Sequence, residues 1–302
     1  MKLLVVGAES AVGRELVSQS QQRGIEVIAP PFRDLDSHDS LDVARIVTRS
    51  EPDQVLNLAS FAAGSQQAPL LAEQHGMECE KLHLELPYAL AQICDHLHVP
   101  LLQLSTALVF SGSKKLPYGE QDRPDPAGVY GRTALAGEQA VAATVSRHVI
   151  VRSGWLFGAG QDDQLKSWLK EVRETDGTLR AVRRKFNPTP VEDLARVLLA
   201  ITQQVDCDAG VWGTYHYGSV DGRSESEFIR EFIRIAARFD ESIYALLDHL
   251  SVTPVRAEAP EVSNTLLASK KIFDTFGIKQ RSWHGNLENL VKSHFSRKTA
   301  VS

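Results

Sequence analysis

Short apolar segments alternate with longer amphipathic segments over the first half of the chain. The apolar segments have the length of β-strands and fall at residues 3–6, 26–29, 54–58, 101–104 and 148–151. Segments with the length and polarity of helices lie between them, at 13–23, 40–49, 81–96 and 134–145. Such alternation is typical of a parallel sheet that is covered by helices on both faces. The pattern therefore predicts an α/β protein with a doubly wound parallel sheet.

The alternation becomes irregular after residue 163, where elements rich in Trp, Pro and Gly appear. We therefore expect residues 1–163 to form the main sheet domain. Residues 164–296 are expected to form a smaller C-terminal lobe that is interleaved with it, and 297–302 a flexible tail.

Composition excludes several classes of protein. The 302 residues carry a net charge of −5, which gives no support for nucleic-acid binding. No apolar run is long enough to span a membrane or to serve as a leader. The three cysteines, Cys79, Cys94 and Cys207, match neither a disulfide framework nor a metal cluster. We expect a reduced, cytoplasmic protein without a bound metal.

The turn after the first strand contains the candidate nucleotide site. It runs from Gly7 to Gly13, directly after a strand and at the start of a helix. Free N–H groups and the helix dipole make such a helix start a site for a dinucleotide pyrophosphate. This position predicts a Rossmann-type, dinucleotide-binding domain. The alternative is a tight turn that binds no ligand.

The loop after the second strand bears on the choice of cofactor. It contains no acidic residue directly after the strand to hold a ribose 2′-hydroxyl, whereas Arg33 can meet a 2′-phosphate. This favours NADP over NAD. The alternative is a solvated loop arginine.

Several segments resemble the dTDP-4-dehydrorhamnose reductase family of extended short-chain dehydrogenases, which also contains the regulatory beta subunit of methionine adenosyltransferase. The similar segments, in chain order, are Asn-Leu-Ala-Ser at 57–60, Leu-Ser-Thr-Ala-Leu-Val-Phe-Ser-Gly at 104–112, Val-Arg-Ser-Gly-Trp-Leu-Phe-Gly at 151–158, Phe-Asn-Pro-Thr-Pro-Val-Glu-Asp-Leu-Ala at 186–195 and Gly-Thr-Tyr-His at 213–216.

The resemblance implies a bound NADP or NAD and a sugar-nucleotide substrate. The glycine pattern GxxGxxG of that family maps onto Gly7, Ser10 and Gly13, so that a serine replaces the middle glycine. By the same resemblance, Leu35 and Asp36 lie beside the adenine, for which the alternative is a turn-forming aspartate. The residues that the resemblance places against the cofactor are Gly7, Ser10, Ala11, Val12, Gly13, Arg33, Leu35, Asp36, Leu58, Ala59, Ser60 and Tyr130.

The family's catalytic group is incomplete in this chain. The resemblance places the catalytic hydroxyls at Thr106 and Tyr130, but Ala134 stands where the family has its lysine. A cation about 4 Å from a phenol contributes roughly 4 kcal/mol to the phenolate at an effective dielectric constant of about 20. Arg132 is a poor substitute, because residues two apart on a helix point to nearly opposite sides. A tyrosine without this cation is expected to be a weak acid near neutral pH.

The substrate side also departs from the family. Ala107 and Leu108 replace an Asp-Tyr pair, and the resemblance adds Trp155 and Arg184 as substrate contacts. His83 stands near the position of a family asparagine that supports the proton relay. A surface histidine is the alternative interpretation.

Two functions follow from these observations. The first is an NADP-dependent reductase that acts on the carbonyl group of a sugar nucleotide. The second is a catalytically degenerate protein that binds a nucleotide and acts through a protein partner or as a homodimer.

Overall fold

A computed structural model describes residues 1–31, 40–63, 65, 67–158, 160, 163–207, 210–256, 260 and 262–299. The strands are β1 Lys2–Val6, β2 Glu26–Ile28, β3 Gln54–Asn57, β4 Leu101–Thr106, β5 His148–Ser153, β6 Leu156–Phe157, β7 Thr178–Val182, β8 Lys185–Phe186, β9 Thr189–Pro190, β10 Gly213–Tyr217, β11 Arg223–Ser224 and β12 Ser251–Val255. The helices are α1 Ala11–Gln22, α2 Ser40–Ser50, α3 Ala68–Gln74, α4 Gly76–Glu80, α5 Leu86–Leu97, α6 Val129–Thr144, α7 Asp163–Glu174, α8 Val191–Asp206, α9 Glu225–Ala236, α10 Glu241–Tyr244, α11 Lys270–Phe276 and α12 His284–Thr299.

A six-stranded parallel sheet forms the centre of the structure. Its strand order is β10-β5-β4-β3-β1-β2, and the chain order reverses between β1 and β3. In open α/β sheets, ligands bind outside the carboxyl ends of the strands at such a switch point. The predicted fold class is confirmed, and the sheet indicates where a ligand would bind.

Helices cover both faces of the sheet, which explains why consecutive residues of a strand such as β1 are apolar. In β1, Leu3 and Val5 pack into one core with α1 and α8, whereas Leu4 and Val6 pack into a second core with α2 and α5. Successive side chains of a strand point to opposite faces. All four residues of β3, and Leu3 to Val6 of β1, are therefore buried.

A third core belongs to the C-terminal part of the chain. Aromatic side chains dominate it, with Trp168, Phe228 and Trp283 buried between α7, α9 and α12. Two elements of this C-terminal part belong to the main sheet domain instead: α8 packs on α1, and β10 pairs with β5. The helix α12 extends to Thr299, and residues 300–302 lie outside the described residues.

One predicted helix differs in the structure. The segment predicted at 81–96 begins as a turn of π-helix, Lys81–Glu85, and continues as α5. Helix α6 packs against this turn so closely that a Cβ at Gly137 would lie 1.8 Å from the carbonyl oxygen of His83. The extra residue in a π-turn displaces the backbone relative to an α-helix, and such turns are frequent at functional sites.

None of the described helices is long and apolar enough to cross a membrane.

The contact at Gly137 predicts a large cost for a single added methyl group. Gly137→Ala should lower the free energy of unfolding by about 1–3 kcal/mol, because the backbone of the π-turn must move. The matched control is Gly285→Ala, where a Cβ meets nothing within 4 Å. That change should leave the stability unaltered or raise it by up to about 1 kcal/mol. Urea unfolding followed by circular dichroism measures both, and equal effects of the two changes would contradict the close contact.

Candidate active site

A cleft of about 220 Å³ opens at the carboxyl ends of the central strands. It brings together most of the residues that the sequence places in the site. Those that line the cleft are Ser10, Ala11, Val12, Leu58, Ala59, Ser60, Thr106, Ala107, Leu108, Tyr130, Ala134, Trp155 and Arg184. Gly7 and Gly13 are not part of its lining, and Arg33, Leu35 and Asp36 lie outside the described residues.

The two glycines of the first turn are required by packing. Gly7 has a φ of +79°, and a Cβ there would lie 2.5 Å from the backbone nitrogen of Ala59. A Cβ at Gly13 would lie 2.4 Å from the carbonyl oxygen of Gly7. Both glycines are therefore needed to bring β1, α1 and β3 together, whether or not a nucleotide binds.

The start of α1 is better evidence for an anion site than the two glycines are. Ser10 caps this helix, since its Oγ accepts a hydrogen bond from the Gly13 N–H at 3.0 Å. The Ser10 hydroxyl keeps its own proton for donation to a ligand. Ala11 and Val12 begin the helix, so their N–H groups have no acceptor within it. These groups fit the pyrophosphate of a dinucleotide.

Tyr130 lies at the start of α6 and points at the loop that follows β3. Its hydroxyl lies 2.6 Å from Ser60 Oγ, and the two hydroxyl groups form a hydrogen bond. Burial raises the pKa of Tyr130, and the hydrogen bond with Ser60 opposes this in part. The phenol is therefore protonated at neutral pH.

His83 lies behind Ser60 and is only 7% exposed, so the interpretation as a surface histidine is wrong. Its Nε2 accepts the Phe61 N–H at 3.1 Å and lies 3.3 Å from Ser60 Oγ. Since a backbone N–H can only donate, Nε2 is unprotonated and the ring proton is on Nδ1. Burial lowers the pKa of His83 from 6.5 to about 4. The imidazole is neutral at physiological pH.

The other side of His83 is held by two residues that sequence reasoning missed. Thr133 Oγ1 lies 3.1 Å from His83 Nδ1, and Cys79 Sγ lies 3.4 Å from the same nitrogen. Cys79 is fully buried, and burial raises the pKa of its thiol. The four-residue spacing of Cys79 and His83 is the one signal in the sequence for this contact, and it is too common to identify a site.

The position of the family's lysine supplies no charge. Ala134 lines the cleft one helical turn after Tyr130, and Arg132 is exposed on another side of α6. Among the residues that line the cleft, Arg184 is the one with a permanent positive charge, and it is paired with Glu225. The side chains of Ser60 and His83, which contact Tyr130 in the described structure, are therefore polar and uncharged.

Thr106 is the last residue of β4 and also lines the cleft. Its Oγ1 accepts the N–H of Leu108 at 3.2 Å and caps the short 3₁₀ turn Ala107–Val109. A Cβ at Gly131 would lie 2.1 Å from the carbonyl oxygen of Leu108, so α6 approaches this turn closely. This contact keeps the elements that carry Thr106 and Tyr130 together.

A buried ion pair fixes α6 to the sheet. Arg152 of β5 contacts Glu138 of α6 at 2.5 Å, and both side chains are about 5% exposed. Ser105 also donates to Glu138, and His216 Nε2 lies 3.4 Å from Arg152. Burial, and then the Arg152 charge, lower the pKa of His216 to about 3. Sequence reasoning missed this network, because its members lie in separate segments.

The far side of the cleft comes from the C-terminal part of the chain. Trp155 stacks near Phe157 and Phe186, and its Nε1 is buried with no partner in the described structure. Four basic residues lie between 180 and 185, and of these Arg184 lines the cleft, whereas Arg180, Arg183 and Lys185 are exposed and do not line it.

Comparisons with known proteins agree with this geometry. A family model described as the RmlD substrate binding domain matches residues 1–295. The chain belongs to that family. A dTDP-4-dehydrorhamnose reductase of Streptomyces griseus is 33% identical over 233 residues, which cover 77% of this chain and 75% of that protein. One from Sinorhizobium fredii is 27% identical and covers 96% of this chain and 97% of its own length.

Solved structures of the RmlD family share the whole fold. The structure of a dTDP-4-dehydrorhamnose reductase from Clostridium acetobutylicum has a TM-score of 0.83 at 27% identity, over 97% of this chain and 99% of that one. The Bacillus anthracis dTDP-4-dehydrorhamnose reductase in complex with NADP has a TM-score of 0.79 at 21% identity, with the same coverage of both chains. The predicted membership in this branch of the extended short-chain dehydrogenases is confirmed.

The neutral, buried His83 predicts a stability that depends on pH. The pKa of His83 is depressed in the folded state, so the unfolded chain binds more protons between about pH 6.5 and 4. Its contribution is complete above about pH 6.5 and is lost as the pH falls toward 4, by about 3 kcal/mol in total.

His83→Gln should therefore flatten the stability profile in this window relative to the unmodified protein. Urea unfolding at several pH values measures the slope, and part of it should persist because of His216. An unchanged slope in His83→Gln would show that His83 is not buried in its neutral form.

Proposed function

We propose that this protein is an NADP-dependent reductase that acts slowly on a carbonyl group of a nucleotide-linked sugar. One observation carries the proposal. The hydroxyl-bearing residues Thr106 and Tyr130 line the same cleft as the start of α1, which fits a dinucleotide. The relatives named above are dTDP-4-dehydrorhamnose reductases, which supports a substrate of this class.

The chain's own groups divide the task of binding. The pyrophosphate is assigned to the N–H groups of Ala11 and Val12 and to the Ser10 hydroxyl. Leu58, Ala59 and Ser60 form the wall next to it, and Arg33 is assigned to the 2′-phosphate that distinguishes NADP from NAD. When bound, the reduced cofactor supplies the hydride. Trp155 and Arg184 are assigned to the sugar nucleotide.

Tyr130 is the proton donor in this proposal. In the reducing direction a donor must hold its proton until the carbonyl oxygen gains negative charge, and the raised pKa of Tyr130 ensures this. Thr106 donates a hydrogen bond to the same oxygen. Without a cation the phenolate product is disfavoured by up to roughly 4 kcal/mol, so the proton transfer is slowed by up to about 10³-fold.

A second function is favoured by Ala134 and by the aliphatic pair Ala107 and Leu108. These three changes remove charge and hydrogen-bonding groups from the catalytic and substrate sides of the cleft, while the cofactor side is kept. A protein that binds the nucleotide without turning it over, and that acts through a partner protein or as a homodimer, has the same cleft. Kinetics separate the two functions.

The cofactor assignment predicts saturable binding of NADPH, measured by its fluorescence on titration. Ser10→Asp should weaken binding at least about 10-fold, because a carboxylate would repel the pyrophosphate. Aspartate caps a helix as well as serine does, so this variant should stay folded. No fluorescence change at millimolar NADPH would remove both functions, and equal affinity for NADH would remove the role of Arg33.

The proton-donor assignment predicts opposite effects at two positions on α6. Tyr130→Phe should abolish NADPH oxidation with a 4-keto-sugar nucleotide, whereas Ala134→Lys should raise kcat by about 10- to 10³-fold. The matched control is Ala134→Met, which adds a side chain of similar length without a charge and should not raise kcat. If Tyr130→Phe has the same turnover as the unmodified protein, the binding function is supported instead.

A further inference from the structure

Ser60 connects the candidate proton donor to a buried histidine. Its Oγ lies 2.6 Å from Tyr130 Oη on one side and 3.3 Å from His83 Nε2 on the other. We infer that Ser60 and His83 form a hydrogen-bond switch that orients the Tyr130 hydroxyl and stabilises the phenolate left after Tyr130 gives up its proton. The inference deepens the proposed function, on which its catalytic part rests.

The positions of the protons follow from the donors and acceptors present. The N–H of Phe61 must donate to His83 Nε2, so this nitrogen is an acceptor. The Ser60 hydroxyl carries one proton, which it can donate either to His83 Nε2 or to Tyr130 Oη. While Tyr130 is protonated and no carbonyl is bound, Tyr130 donates to Ser60 and Ser60 donates to His83. A bound carbonyl oxygen accepts the Tyr130 proton in place of Ser60. Once Tyr130 is a phenolate, Ser60 turns its proton toward Tyr130.

In the reductive step, the phenolic proton of Tyr130 is the one proton that leaves Tyr130, Ser60 and His83. Hydride adds to the carbonyl carbon, and the π electrons of the C=O bond become a lone pair on oxygen. The O–H bond of Tyr130 breaks, and its proton goes to that oxygen. Ser60 and His83 keep their protons throughout, and His83 Nε2 still holds the Phe61 N–H after Ser60 has turned.

His83 is held in the orientation that the switch requires. Its Nδ1–H faces Thr133 Oγ1 at 3.1 Å, and that hydroxyl in turn donates to the carbonyl oxygen of Val129 at 3.0 Å or Tyr130 at 3.1 Å. The His83 and Tyr130 rings also form a T-shaped contact, with their centroids 4.6 Å apart, which restricts the rotation of the imidazole. The π-turn places His83 here, and Gly137 gives that turn the space to approach α6.

In the part of the chain that the structure describes, the groups that face the switch carry no permanent charge. Thr133 and Tyr130 face it from α6, Cys79 from α4, and Phe61 from the loop after β3. Glu73 and Glu80 act on Cys79 through space, and burial keeps its thiol protonated. A hydrogen bond donated to the phenolate is therefore the main local means of stabilising it, since Ala134 supplies no cation.

The decisive experiment is a titration of Tyr130 alone. Tyrosinate absorbance is measured against pH for each protein and for its Tyr130→Phe counterpart, and the difference isolates Tyr130 from the other tyrosines. Ala134→Lys is used as the background, because a lysine brings the titration into a range where the protein stays folded. Circular dichroism at each pH monitors folding.

Ser60→Ala should raise the midpoint of this titration by about one pH unit, which is a 10-fold change in the ionisation constant of Tyr130. Ser60→Thr keeps a hydroxyl and should restore the midpoint, while the exposed control Ser113→Ala should leave it unchanged. An unchanged or lowered midpoint in Ser60→Ala would overturn the inference.

His83 should have the opposite effect. In His83→Leu the Ser60 hydroxyl has lost its competing acceptor and donates to Tyr130 in both protonation states, so the midpoint should fall. His83→Gln provides an acceptor amide and should keep the midpoint close to that of the background. A merely structural role for both residues would loosen the site and shift the midpoint in the same direction in Ser60→Ala and His83→Leu.

Kinetics give a second test in the natural chain. Ser60→Ala should lower kcat about 10- to 100-fold with little change in the KM for NADPH, and the loss should shrink to less than about 3-fold when Ala134→Lys is also present. Equal losses in both backgrounds would contradict the switch. The titration needs neither cofactor nor turnover, so a protein without activity would refute the proposed reductase while the titration still decides the inference.

Discussion

The close approach of α6 to the π-turn Lys81–Glu85 is the constraint on which the site depends. Gly137 permits it, because a side chain at that position would collide with the carbonyl oxygen of His83. The same helix carries Tyr130, Thr133 and Ala134, and the same turn carries His83. This contact sets the 4.6 Å separation of the Tyr130 and His83 rings, and the loop after β3 then places Ser60 within hydrogen-bond distance of both.

A buried ion pair secures α6 from the other side. Glu138 and Arg152 join the helix to β5, and Ser105 of β4 donates to the same carboxylate. Removing one member of such a pair leaves the other charge buried without a partner, so the pair holds the helix in one position. The candidate site residues on α6 are then held in position although they carry no charge.

Among the described residues that line the cleft, Arg184 is the one with a permanent charge. The resemblance to the reductase family leads one to expect a cation beside the tyrosine, whereas the described side chains that contact Tyr130 include a serine hydroxyl and a neutral imidazole. Neutral donors stabilise a phenolate less than an ammonium group does, but in a buried site they need no desolvated counter-charge. The hydroxyl of Ser60 therefore becomes more important here than it would be beside a lysine.

The sequence by itself determined the α/β fold and the glycine turn, because strand periodicity and turn glycines can be recognised within a few residues of chain. The assignment of Thr106, Tyr130 and Ala134 to the catalytic group rests on the resemblance to the reductase family and stays a prediction. The sequence pattern could not separate the π-turn Lys81–Glu85 from the α-helix that follows it, since this segment has the composition of an ordinary helix.

Only the tertiary structure decided the environment of Tyr130. Ser60 lies 70 residues before Tyr130 and 23 before His83, and nothing in the local pattern of any of the three segments indicates that they meet. Their contact depends on the stacking of three separate elements at the carboxyl edge of the sheet. A hydrogen bond requires an accuracy of a few tenths of an ångström, which a pattern of apolar and polar positions does not contain.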